Sequence, residues 1–233
     1  MLSTLHRRAA ARYGGTMIKL AVFDCDGTLV DSQANICQAM EEAFRIADVP
    51  APPRAAIRRI VGLSLVEAIA VLLPQGEDAQ HRRMAADYKE VFFHLRTTGA
   101  MSEEPLFDGI ADVIHTLVDT GWTLGVATGK SDRGLARVLD HHGLTRHFVT
   151  LQTADRHPSK PDPAMLLAAI EEAGATPERT AMIGDTSFDM AMGKAAGARA
   201  VGVAWGYHDL HDLVNAGADV VADRVAALPG LLA

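Results

Sequence analysis

Cysteine is scarce in this chain, and so are aromatic side chains, surplus positive charge and long apolar runs. Two cysteines in 233 residues, Cys25 and Cys37, build no disulfide framework, so a reducing compartment, the cytoplasm, is the expected setting. No apolar run approaches the roughly 18 residues that a membrane span requires, so a membrane is not expected as partner. A formal net charge of −7 argues against nucleic acid or an anionic membrane surface as well. Internal repeats and low-complexity tracts are also missing. What remains, 48% hydrophobic and 22% charged residues, has the proportions of a soluble globular chain long enough for one domain plus an insertion.

Residues 1–16 differ from the rest. They carry Arg7, Arg8 and Arg12, no acid, and a Gly14-Gly15 pair near their end, with no continuous apolar stretch of signal-peptide type. A disordered extension ahead of Met17 is expected; a short organelle-targeting segment is the other reading.

From Ile18 onward, strand-like and helix-like segments alternate, the pattern of an α/β fold with a parallel sheet. Strands are expected over 18–23, 122–127, 148–151, 180–183, 199–203 and 219–221. Ile110, Val113, Ile114, Leu117 and Val118 form one helical stripe, and Leu166, Leu167 and Ile170 another. Gly121, Gly143 and Gly174 read as helix stops, and Thr176-Pro177-Glu178 as a helix start. The alternation breaks between Asp31 and Pro105, where only helical patterns occur. Ile36, Met40, Ala43, Phe44 and Ala47 make one stripe there, and Met84, Tyr88, Val91, Phe92 and Leu95 a second, with Pro50, Pro52, Pro53 and Pro74 as punctuation. The expected organisation is an α/β core of residues 17–31 and 101–233, interrupted after its first strand by a helical subdomain over 32–100.

Residues 24–32 read Asp-Cys-Asp-Gly-Thr-Leu-Val-Asp-Ser, directly after the first strand. Carboxylates two residues apart at a strand end lie on the same side of the pleat, and the following Gly lets the chain turn. Both acids therefore sit at the carboxyl end of a buried strand, where open α/β sheets bind ligands. Two negative charges there are costly unless a cation or a reaction needs them. Cys25, between them, is expected on the opposite face as a plain buried thiol. Three further groups follow strand ends. Thr128-Gly129-Lys130 offers a hydroxyl and backbone N–H groups at a helix start, a phosphate cradle. Lys160-Pro161-Asp162-Pro163 offers a cation ahead of a helix. Gly184-Asp185-Thr186-Ser187-Phe188-Asp189 places two carboxylates one helical turn apart, facing one cavity, although Asp185 or Thr186 capping the helix explains the same residues locally.

Taken together and in this order, the four groups resemble the motifs of the haloacid-dehalogenase-like (HAD) phosphatases over nearly the whole chain from Met17. Dehalogenases of that superfamily lack the second Asp and P-type ATPases carry Thr there, so Asp26 points to phosphate-ester chemistry. The resemblance implies a Rossmann-like parallel core with a four-helix cap, similar to phosphoglycolate phosphatase and β-phosphoglucomutase. It further implies a Mg²⁺-dependent phosphatase acting on a small phosphorylated metabolite such as phosphoglycolate. In that reading Asp24 is the nucleophile that becomes an aspartyl-phosphate, and Asp26 is first acid, then base. Thr128, Gly129 and Lys160 hold phosphate. Asp24, the Asp26 carbonyl, Asp185 and Asp189 hold the metal, Asp189 directly or through water. Crowding four carboxylates beside a phosphate costs several kcal/mol in a partly desolvated site, which Mg²⁺ and Lys160 would offset.

The segment Arg58-Arg59-Ile60-Val61-Gly62-Leu63-Ser64 resembles the cap stretch that turns a glycine loop toward the site. Arg58, Arg59 and Gly62 are thus candidate substrate contacts. A phosphosugar mutase, a pyrophosphatase and a silent binding module of the same fold are the alternatives; the intact Asp24, Asp26, Thr128, Lys160 and Asp185 set argues against the last. Lys130 and Asp31 carry no assigned role. Arg156 and His157 are expected in an exposed loop, and Trp205 and Tyr207 in packing. His208, His211 and Asp212 have near-ligand spacing for a second metal, the less favoured reading.

Overall fold

The computed structural model describes residues 18–233; the extension expected over 1–16 lies outside the described residues. Strand β1 (Lys19–Phe23) is followed by four helices, α1 (Gln33–Ile46), α2 (Arg54–Arg58), α3 (Leu65–Leu72) and α4 (Asp78–Thr97). Alternation then resumes with α5 (Ile110–Asp119), β2 (Trp122–Thr128), α6 (Asp132–His141), β3 (Phe148–Thr153), α7 (Ala164–Ala173) and β4 (Thr180–Gly184). It closes with α8 (Ser187–Ala195), β5 (Arg199–Val203), α9 (Leu210–Asn215), β6 (Val220–Ala222) and α10 (Leu228–Leu232). The strands form one parallel sheet in the order β3-β2-β1-β4-β5-β6.

β1 lies mid-sheet because both of its faces are apolar, as a parallel strand covered by helices on two sides requires. Leu20 and Val22 pack against Met165, Leu166 and Met192, whereas Ala21, Phe23 and Cys25 pack against Ile110, Ile114 and Leu117. Cys25 is therefore a buried free thiol on the face opposite its two acidic neighbours. Burial pushes its pKa well up, which keeps it protonated.

The sheet reverses its winding beside β1: the chain moves out through β2 and β3, then returns to place β4 on the other side. Phe23 pairs with Val126 on one neighbour and Ile183 on the other, so the three strands end nearly level. Residues 24–26, 128–130 and 184–186 thus emerge side by side at the topological switch point.

Helices α1 to α4 share their own apolar cluster, built on Met40, Phe44, Ile57, Ile69 and Met84. Where the chain leaves and re-enters the core, its two linkers pair: the Asp31 N–H donates to the Pro105 carbonyl at 2.9 Å, and the Phe107 N–H to the Leu29 carbonyl at 3.1 Å. The second expected stripe is buried only in part. Met84 is in the cluster, but Tyr88 and Phe92 reach past it to line a cavity. One local expectation changes: Pro177–Arg179 forms a single 3₁₀ turn, because Thr180 already begins β4 and leaves no room for an α-helix.

Leu117 is fully buried, whereas Val118, the next residue on α5, is 40% exposed. Leu117→Ala should lower unfolding free energy by about 2–5 kcal/mol in denaturant titration, and Val118→Ala by less than about 0.5 kcal/mol. Equal effects would place the core on the wrong face of α5.

Candidate active site

Asp24 leaves β1 with its N–H on the Ile183 carbonyl at 2.8 Å, so the two strand ends fix its backbone. Its side chain is fully buried, and among the described residues no aligned hydrogen bond reaches either oxygen. Lys160 Nζ stands 2.9 Å from Asp24 Oδ1 as an ion pair, unaligned for a hydrogen bond, and 2.6 Å from Asp189 Oδ1. Lys160 is itself fully buried, on the loop after β3.

Asp185 Oδ1 accepts from the Thr28 hydroxyl at 2.8 Å and Oδ2 from the Tyr207 N–H at 2.9 Å. Two glycines make room for this carboxylate. A Cβ on Gly27 would lie 2.2 Å from Asp185 Oδ2, and one on Gly206 would lie 2.1 Å from Asp185 Cβ. Asp189 does two things at once. Its Oδ2 accepts from Thr186 N–H and hydroxyl, closing a capping box on α8, while its Oδ1 takes Lys160. The local capping explanation and the shared-cavity one are both true of it.

Asp24, Asp185 and Asp189 each offer an oxygen within 4.8 Å of the others. Three buried carboxylates face one ammonium, and the imbalance shows in their ionisation. Burial, partly countered by Lys160 and reinforced by Asp189, pushes Asp24 up to about 7. Burial and then the charges of Asp24 and Asp189 push Asp185 well up. The orphaned Asp24 oxygens, the surplus negative charge and an all-oxygen donor set fit a hard divalent cation.

Asp26 stands apart from that cluster. Its Oδ1 accepts from the Ser32 hydroxyl and from Lys130 Nζ at 2.8 Å, so it has an ammonium for neighbour rather than another carboxylate. Lys130, left without a role by the sequence, keeps its proton: burial alone would lower it, but Asp26 overcomes that and raises it. The buried Thr128 hydroxyl and the Gly129 turn lie beside it, with Lys130 N–H on Thr128 Oγ1 at 3.2 Å.

The loop between α2 and α3 sits on this ground. A Cβ on Gly129 would come within 2.6 Å of the Gly62 and Leu63 carbonyls, and Gly62 itself has φ +102° against Thr186. Ser64 N–H donates to Ser159 Oγ at 2.8 Å. His208 accepts at Nδ1 from the Ser187 N–H, which leaves Nε2–H to donate to the Arg59 carbonyl at 2.9 Å.

Gly62 thus packs against Thr186 at the site, and the two arginines lie elsewhere, Arg58 as the last residue of α2 and Arg59 just after it. Arg59 reaches out to Asp212 at 2.9 Å, and neither Arg58 nor Arg59 lines the cavity between helices and sheet. Ile57, Ile60 and Val61 are buried, Arg59 is exposed and Arg58 is half-buried. His208, His211 and Asp212 do not converge on a metal position: each holds a different partner, Arg59 carbonyl, Asn215 and Arg59 side chain. Arg156 pairs with Asp132, and His157 with Gln152. Tyr207 does more than pack, since its hydroxyl accepts from the Ser32 N–H and donates to Asp31. Trp205 Nε1 donates to the Thr28 carbonyl.

The model of the haloacid dehalogenase-like hydrolase family matches residues 21–203. The chain is 36% identical over 219 residues to a Dickeya dadantii protein named "Probable phosphatase IndB", covering 92% of this chain and 93% of that one. It is 30% identical over 217 residues to phosphoglycolate phosphatase of Vibrio cholerae, covering 91% and 95%. Among solved structures, a hydrolase from Pseudomonas syringae superposes with TM-score 0.77 at 26% identity, over 91% and 97% of the two chains. The chain belongs to the haloacid dehalogenase-like hydrolases.

The raised Asp24 has a consequence for stability. Between the ordinary carboxyl value of 3.8 and about 7, the folded protein holds a proton that the unfolded chain has released. Stability of the metal-free protein therefore falls as pH rises through that window. Asp24→Asn removes this titration, so in chelator its melting temperature should exceed the parent's at pH 8 and match it at pH 4. Parallel melting curves across that range would contradict the account.

Proposed function

We propose that this haloacid dehalogenase-like hydrolase is a Mg²⁺-dependent phosphatase that hydrolyses a small phosphate monoester through a phosphoryl group carried on Asp24. The observation that carries the reading is Asp24 itself: a buried carboxylate held at a strand end, whose only ion-pair partner among the described residues is one buried ammonium. Such a group is unsolvated and positioned, the condition of a nucleophile. The domains are assigned as a core of 17–31 and 101–233 with residues 32–100 as its cap, working in a reducing cytoplasm.

Asp24, Asp185 and Asp189, with the Asp26 backbone carbonyl, would hold Mg²⁺. When bound, the ion screens the crowded carboxylates and draws charge from the phosphoryl oxygens. Asp24 attacks phosphorus in line; a bond from its carboxylate oxygen to phosphorus forms as the ester P–O bond breaks. Asp26 gives its proton to the departing oxygen. Asp26 then takes a proton from water, which attacks phosphorus and releases the Asp24 carboxylate and inorganic phosphate. Thr128, the Gly129 amide and Lys160 bind the equatorial oxygens, where negative charge spreads during transfer. Lys130 and Ser32 aim the Asp26 carboxyl at the cavity. Gly62 lets the cap loop close on the reacting centre and exclude water.

Relatives named phosphoglycolate phosphatase make a small phosphorylated acid the first substrate to try. Phosphate release from phosphoglycolate and p-nitrophenyl phosphate should require Mg²⁺ and fall to background in Asp24→Asn. Asp26→Asn should lose on the order of 10²–10⁴ in kcat/KM on phosphoglycolate and less on p-nitrophenyl phosphate, since kcat/KM reports the first step and nitrophenolate needs little acid. Activity retained in Asp24→Asn would refute the mechanism.

A further inference from the structure

Next to Asp26 and Lys130, between the helical insertion and the sheet, lies a cavity of about 410 Å³. Its walls carry two chemistries. Met40, Tyr88 and Phe92 supply apolar and aromatic surface, and Arg96 of α4 and Arg133 and Arg137 of α6 supply three cations. These three guanidiniums have no acidic partner within ion-pair distance among the described residues. The acids that share the wall are engaged: Asp26 by Lys130, and Asp155 by the Asp132 N–H. Aromatic rings hold two of the arginines in place, Arg96 at 5.3 Å from the Phe92 centroid and Arg133 at 5.2 Å from that of Phe93. The crowding is felt, since burial and then the charges of Arg133 and Arg96 hold Arg137 below its usual value. Phe93 remains 48% exposed beside them.

We propose that this cavity selects phosphate monoesters whose leaving group combines an apolar or aromatic body with a second anionic group, a carboxylate or a phosphate, bound by Arg96, Arg133 and Arg137. The proposal rests on the phosphatase reading and defines the substrate of that same site. Three clustered like charges are an unfavourable arrangement by themselves, and a planar anion that accepts from their forks relieves it. Size points the same way. Cavities of about 300–1,000 Å³ enclose drug-sized ligands, so a two-carbon leaving group leaves most of this one to water.

Three aryl esters with similar leaving oxygens test it: 4-ethylphenyl phosphate, 4-(carboxymethyl)phenyl phosphate and 4-(phosphonomethyl)phenyl phosphate, with phosphoglycolate alongside. The readout is the ratio of kcat/KM for each doubly anionic aryl ester to that for the ethyl ester. A ratio of about ten or more is expected in the parent, expressed mainly in KM. It should fall toward one in Arg96→Ala and Arg137→Ala and recover in part in Arg137→Lys. The carboxylate and phosphonate arms show which anion is read. A parent ratio near one, a ratio that the arginine variants leave unchanged, or a preference for phosphoglycolate over every aryl ester would overturn the proposal. Asp24-dependent hydrolysis of the ethyl ester without that ratio rejects the anion subsite and leaves the phosphatase standing. Hydrolysis of none of the four esters rejects the phosphatase reading, and the subsite with it.

Discussion

Everything at the sheet's carboxyl edge depends on three clustered buried carboxylates, of which one buried ammonium pairs with only two. Asp24, Asp185 and Asp189 each lie in a place where an isolated charge is strongly disfavoured, and Lys160 offsets only part of their sum. An arrangement of this kind is not a device for stability; apolar residues of similar volume would serve that better. The residual negative charge, on an all-oxygen donor set, fits a divalent cation.

The fold holds this cluster with backbone rather than with long side chains. Level strand ends put Asp24 and Asp185 on neighbouring strands, with the Asp24 amide already used in the sheet. Gly27 and Gly206 let two loops pass within a carbon's reach of Asp185, and the capping box of α8 locks Asp189. The same economy appears at the cap, where a glycine on each side, Gly62 and Gly129, allows backbone to approach backbone. Apolar packing of the two faces of β1 gives these short contacts a rigid floor.

The parallel sheet and the helical interval were legible in the sequence because each depends on local periodicity. So were the residues at strand ends, since a carboxylate or a Gly turn after an apolar run is a short-range signal. What holds them was not legible. Thr28, Gly206 and Tyr207 meet Asp185 from distant parts of the chain, and Tyr207 looked like packing because nothing near it in sequence shows its partners. The pairing of Lys130 with Asp26 depends on two strands ending together. Arg58 and Arg59 were read from the resemblance of their segment to a glycine loop that turns toward the site in relatives. The cavity lining includes neither arginine, and Arg59 is engaged by Asp212. The arginines that do line the cavity come from two helices about forty residues apart, and only the tertiary fold joins them.

The central claim is that a covalent phosphoryl group passes through Asp24. Asp26→Asn slows the water step more than the first step when the leaving group is nitrophenolate, so the intermediate should accumulate in that variant. Acid quenching during turnover of p-nitrophenyl phosphate, followed by peptide mass spectrometry, reads it directly. The account predicts a burst approaching one nitrophenolate per active site and a phosphoryl group, labile to hydroxylamine, on the peptide containing Asp24. A phosphoryl group on another residue, or a turning-over variant that carries none and shows no burst, would contradict it.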